Sequence, residues 1–209
     1  MVRLKNREQI IRLDGKSEFV EVLDNAFGIE KVMFQFVKYD PVSNKQISIL
    51  PFYLDFTDFL VLEHDVLSGR IGKLAEIERQ KNQGGGFPKD IFMKQGGVSA
   101  EALHARGMSR PDGAPLSRVL KIIPGKKLLF QAEQGKGEKM DKGLIKSVFG
   151  TKPDIRIMIP LSDEQLKAMV LMVGSKIRAY YAAGYVFHQK ENFNRQVSDD
   201  LARKESYRK

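Results

Sequence analysis

The sequence predicts an α+β fold of antiparallel, strand-rich halves, each ending in a capped helix; a pseudo-two-fold repeat is one arrangement this allows. Three observations predict it. Apolar residues alternate in "KVMFQFVKYD" and again in "DIRIMIP", the period of a half-buried strand. Each is followed further on by helical apolar spacing behind a capping side chain, at Asp55 and at Ser162. "SRVLKII" and "KKLLFQAE" flank Pro124-Gly125 as the arms of a hairpin would.

Taken in order, "SEFVEVLDNAF" reads as a helix, with Ser17 as cap and Phe19, Val22, Leu23 and Phe27 on one face. "KVMFQFVKYD" is a strand with Val32, Phe34 and Phe36 inward and Lys31, Met33, Gln35 and Tyr39 outward. "DPVSNK" is a turn and "KQISIL" a second strand. The next helix has Asp55 at its N-cap, Asp58 at the third position and Gly69 at its end. "RIGKLAEIERQKN" is more helix, and "QGGGFPKD" is a flexible break. Beyond it, "KDIFMKQ" is a strand, "VSAEALHARG" a short helix and "RPDGAP" a turn. "QGKGEKMDKGLIKSVFGTKP" reads as a long Gly/Lys-rich connection with one helical turn.

"DIRIMIP" puts Ile155, Ile157 and Ile159 on one side and Arg156 and Met158 on the other. Ser162 and Gln165 then have capping-box spacing, and Leu161 and Leu166 have hydrophobic-staple spacing. Leu166, Val170, Val173, Ile177 and Tyr181 form the stripe of the longest helix, with Gly184 where a C-terminal cap would lie. The expected organisation is a half over 1–83, a strand-rich half over 84–186, and a polar tail over 187–209.

The 209 residues include Cys 0, which removes disulfide and thiol chemistry and suits a reducing compartment. A chain of this size buries roughly 70% of its unfolded surface and needs no staples. The start "MVRLKNREQIIRLDGK" has no apolar h-region, and no apolar run approaches a membrane span. A cytoplasmic location, with no membrane partner, is expected. The net charge of +9 and pI of about 9.6 point to phosphate-bearing partners.

Catalytic motifs find little support. "LDGKS" matches the end of a phosphate-binding loop, but the motif needs Gly where the chain has Ile10. His64, His104 and His188 are scattered without Cys partners. Asp55, Asp58, Glu63 and Asp65 are acidic residues that could hold Mg²⁺ in a nuclease, although capping and a solvated helix face explain them more cheaply. The expectation is a non-enzyme without cofactor or metal.

Two stretches carry a family resemblance. "IPLSDEQLKAM" resembles the strand-to-helix signature of the positive cofactor four family, typically I-S-L-N-P-E-Q-W, with Leu161, Ser162, Glu164 and Gln165 matching in kind. "LKIIPGKKLLFQAEQGKGE" is similar to that family's preceding hairpin. The related Whirly proteins carry two such halves in one chain, and Leu54-Asp55-x-x-Asp58-Phe59 repeats the logic of Leu161-Ser162-x-x-Gln165-Leu166. The chain departs from the pattern in three ways. Leu166 stands where a Trp is usual, the connection from Gln134 to Pro153 is longer, and the half before Gly84 reads as short of strands.

The resemblance implies two antiparallel sheets against paired helices, with single-stranded nucleic acid on the sheet surface away from the helices. Such binders need cations for phosphates and flat side chains for bases. The candidates are Lys31, Gln35, Tyr39, Phe92, Lys94, Lys127, Gln131 and Arg156 on strands, and Arg106, Arg110, Lys136 and Lys139 on loops. The expected function is single-stranded DNA binding in replication, recombination, transfer or transcription, by a homo-oligomer. The alternatives are RNA binding, which uses the same surface chemistry, and a metal-dependent nuclease.

Overall fold

A computed structural model describes residues 8–83, 88–141, 143–148 and 150–206; within the last helix, side chains are described through Phe187 and at Glu191. The expected break at the glycines 84–86 lies outside the described residues.

The first half is a meander of four strands: β1 (Gln9–Asp14), β2 (Glu18–Leu23), β3 (Lys31–Tyr39) and β4 (Gln46–Asp55), in that spatial order, all antiparallel. It runs into α1 (Phe56–Leu67) and α2 (Arg70–Lys81). The second half contains β5 (Phe92–Val98), the short α3 (Ala100–His104), β6 (Leu116–Pro124), β7 (Leu128–Lys139), β8 (Ile145–Ser147) and β9 (Ile155–Leu161). Strand β7 pairs with β6 along most of its length, with β9 over 128–134 and with β8 over 137–139. The final helix α4 spans Asp163–Ser206. With β8 set aside, each half is a four-strand antiparallel meander that ends in a helix.

The segment 17–27 is not a helix: residues 18–23 form β2, and Phe27–Ile29 form a short 3₁₀ turn. Its helical spacing was fortuitous, because Val20 and Val22 alternate into the core and β-branched side chains suit a strand. Strand β1 was not read from the sequence. A bulge between Gln9 and Ile11 breaks its alternation, so Ile10 and Leu13 both reach the core. The half before residue 84 therefore has four strands and is not short of them.

The Gly/Lys-rich stretch likewise contains strand, the end of β7 and all of β8, and no helical turn among its described residues. Gly135 and Gly137 alternate on β7 because that face is covered. A Cβ on Gly135 would lie 3.2 Å from Cα of Pro153, and one on Gly137 would lie 2.7 Å from a methyl of Ile145. These glycines mark close backbone approach rather than a flexible link. Finally, α4 runs through Gly184 without a cap there; Ala182 and Ala183 beside it are strong helix formers that offset one interior glycine.

The two strand-to-helix turns differ in chemistry. At Ser162 the capping box is formed: the Ser162 N–H donates to Oε1 of Gln165 at 2.9 Å, and the Gln165 N–H donates to Oγ of Ser162 at 3.2 Å. Leu161 and Leu166 are both buried, as the staple requires. At Asp55 the backbone has N-cap conformation but the side chain makes no capping bond; its carboxylate pairs with Lys31 instead. Leu54 and Phe59 are still buried across that turn.

One core joins the halves. Phe130 of β7 sits 5.5 Å from Phe34 and 5.2 Å from Phe36 of β3, ring centre to ring centre. Phe59 of α1, and Leu166, Met169, Val170, Val173 and Ile177 of α4, close the same cluster. Tyr181 is the exception in the expected stripe, being exposed while its ring packs edge-on to Phe56. The helices meet where Gly174 of α4 leaves room for Glu63 of α1; a Cβ there would lie 2.4 Å from Oε1 of Glu63. That carboxylate is only 3% exposed and accepts two bonds from Arg178, at 3.1 and 2.7 Å. A buried charge needs such pairing. Among the described residues no helix is long and apolar enough to cross a membrane.

Candidate nucleic-acid interface

Alternation assigns an outer face to each sheet, away from the shared core. On the first sheet that face carries Phe19, Val37, Tyr39, Ile49, Pro51 and Tyr53. Phe19 and Tyr39 lie 5.9 Å apart, and the Arg12 guanidinium sits 3.6 Å from the centre of the Phe19 ring. Gln35 belongs to the same face and donates to Glu21 at 3.5 Å. Met33 does not contribute, since it packs with Leu23 and Ala26. Tyr53 is 43% exposed at the sheet's β4 edge.

The outer face of the second sheet is unlike this. Glu133 lies between two cations, 3.1 Å from Nζ of Lys121 and 2.7 Å from Nε of Arg156. Lys121 also reaches Asp90 at 3.5 Å. Arg156 points outward as expected, but its charge is already matched. Gln131, expected to be an exposed contact, is only 4% exposed and donates to Glu133 at 3.0 Å; its cross-strand neighbours are Lys121 and Met158.

Two residues of β5 expected to face outward do not. Phe92 packs against the core, opposite Ile122, and so does not face outward. Lys94 shares that phase and donates to Asp58 of α1 at 2.7 Å. The inward phase of this edge strand faces a helix, which is why a lysine fits there. Lys127 is exposed but lies in the turn before β7, not on the strand face. Arg110 is held by Asp112 at 3.1 Å and by Asp154, and these hydrogen bonds hold its guanidinium more firmly protonated than usual. Lys136 and Lys139, expected on a loop, both lie on the long strand β7, and Lys139 pairs with Glu101 at 3.6 Å. Lys136 and Arg106 are exposed and in no ion pair among the described residues.

The four acidic residues weighed for Mg²⁺ do not form a cluster. Asp55 pairs with Lys31, Asp58 with Lys94, Glu63 with Arg178, and Asp65 with Arg70. No group of three or more metal-ligating side chains occurs among the described residues.

The two sheets border a cleft of about 610 Å³ between β4 and β5. Lys31 and Tyr53 line it from the first sheet, and Gly96, Arg106 and Arg118 from the second half. Lys31 is matched by Asp55, but Arg106 and Arg118 face no described carboxylate within ion-pair distance. Of these residues, Lys31 and Arg106 were expected from the sequence; Tyr53 and Arg118 were not. Arg118 had a signal available. It lies in phase with Leu120 and Ile122, so a cation occupies a position in the core-facing register.

No protein-family model matches the chain, and no curated protein or solved structure matches it either.

Proposed function

We propose that this protein binds single-stranded DNA without catalysing a reaction on it, in the manner of positive cofactor four and Whirly proteins. It would serve replication, recombination, transfer or transcription, in the cytoplasm. The observation that carries the reading is Tyr53. This exposed ring lies where the aromatic outer face of the first sheet meets the basic cleft. Stacking groups and unmatched cations thus adjoin, as a single-strand binder requires. Bases would stack on Tyr53 and, farther along the sheet, on Tyr39, while phosphates track Arg106 and Arg118. The net charge of +9 favours the same partner. Repetition of a four-strand meander that ends in a helix supports the family likeness. Assembly into a homo-oligomer is part of the proposal, and the exposed Leu171, Met172 and Tyr185 of α4 favour it.

The test is competition among single-stranded DNA, duplex DNA and RNA of one length for a labelled oligothymidine, with and without Mg²⁺. Single-stranded DNA should compete best, and the label should stay intact. Stronger competition by RNA would make this an RNA-binding protein, and Mg²⁺-dependent loss of label would make it a nuclease.

A further inference from the structure

Arg118 has no evident reason to be where it is if the chain is considered alone. Its strand phase would suit a leucine. Nε donates to the neutral Gln134 at 3.1 Å, across the strand pair. No buried polar side-chain atom lacks a partner among the described residues, so the two Nη groups, which make no such bond, reach solvent, and Arg118 lines the cleft. Burial disfavours the charge on this guanidinium, Tyr53 nearby favours it, and Arg106 disfavours it. An arginine nonetheless stays charged. Holding an unmatched cation beside a second one in a partly dry site is costly. The cost is relieved if an anion binds between them.

The strand beside Arg118 makes room for one. Gly96 is the cross-strand partner of Arg118, and nothing lies within 4 Å of where its Cβ would be. A side chain at residue 96 would therefore project into open space on the cleft wall that Arg118 also lines.

We infer that this cleft seats a single phosphate group on the Nη groups of Arg118, with Arg106 beside it and Gly96 leaving the space. Either free phosphate or a phosphodiester of a strand supplies that chemistry. The seat itself stands on the cleft geometry; only its use by a strand rests on the nucleic-acid reading.

The experiment follows thermal unfolding with inorganic phosphate, against chloride of equal ionic strength, and separately follows oligothymidine affinity. Phosphate should raise the unfolding midpoint of the unaltered protein and not that of Arg118→Leu or Gly96→Val. The valine fills the space and leaves both guanidinium groups in place. Arg118→Leu by itself should be at least as stable as the unaltered protein. Should Arg118→Leu fail to fold, the inference that its cation is there for a ligand is overturned in favour of a structural role. A phosphate effect that survives in Gly96→Val, or is absent from the unaltered protein, overturns the seat.

For oligothymidine, each variant should lose affinity about tenfold or more, the scale of a charge-assisted hydrogen bond to phosphate. Loss of the phosphate effect with oligothymidine binding unchanged would uphold the seat as a site for free phosphate and count against its use by a nucleic acid strand.

Discussion

The outer faces of the two sheets look alike in an alternation diagram and differ in what they offer a ligand. On the first sheet the outward positions mix aromatic and aliphatic side chains, with Phe19, Tyr39 and Tyr53 among them, and a smaller polar group of Arg12, Glu21 and Gln35. On the second, Lys121, Gln131, Glu133 and Arg156 form a network that satisfies itself. Strand periodicity tells which way a side chain points. It does not tell whether the charge at its end is free. One glutamate on β7 matches two cations on neighbouring strands, which moves the available positive charge to the border between the sheets.

The largest expected effect tests whether the two faces belong to one body. Phe130→Ala removes the ring that meets Phe34 and Phe36 of the other sheet. It should cost about 3–5 kcal/mol and leave a single unfolding transition. Two transitions in denaturant, with the first half unmoved, would mean that the halves are stable separately.

The next contrast is between the faces themselves. Tyr53→Ala should weaken oligothymidine binding by about 1–3 kcal/mol, the scale of one base-stacking ring. Arg156→Ala should change it little, because Glu133 already matches that guanidinium. Fluorescence titration of the two variants side by side decides; the reverse order would return the binding surface to the second sheet.

The smallest effects compare the two strand-to-helix turns. Ser162→Ala should cost about 0.5–2 kcal/mol, because its capping box is formed. Asp55→Ala should cost less, about 0–1 kcal/mol, since it loses an exposed pair with Lys31 and no capping bond. Equal shifts in denaturation midpoint would show that the two turns are equivalent after all.

These cases show where the sequence was readable. The Ser162 cap, the β6–β7 hairpin and the inward isoleucines of β9 are local patterns, each fixed by neighbours within a few residues. Residues 18–23 misled because a short segment can satisfy helical and strand spacing together; pairing with β3 over six residues decides between them. Gly135 and Gly137 read as flexibility because the Pro153 and Ile145 atoms that crowd them come from later in the chain. At the candidate site, Lys31 and Arg106 were legible as surface cations. Gln131, Phe92 and Lys94 were misplaced because burial and ion pairing at a strand position depend on what packs over it.

The sequence by itself determined the α+β class, the basic charge, most of the strands and the start of α4, since periodicity, capping and composition act locally. Only the tertiary structure decided which cations are matched, that Glu63 meets Arg178 across α1 and α4, and that Arg118 lines a cleft with Gly96 beside it. The physical reason is common to all three. Availability of a charge is set by the nearest opposite charge in space, and here those partners come from strands and helices up to 115 residues apart in the chain.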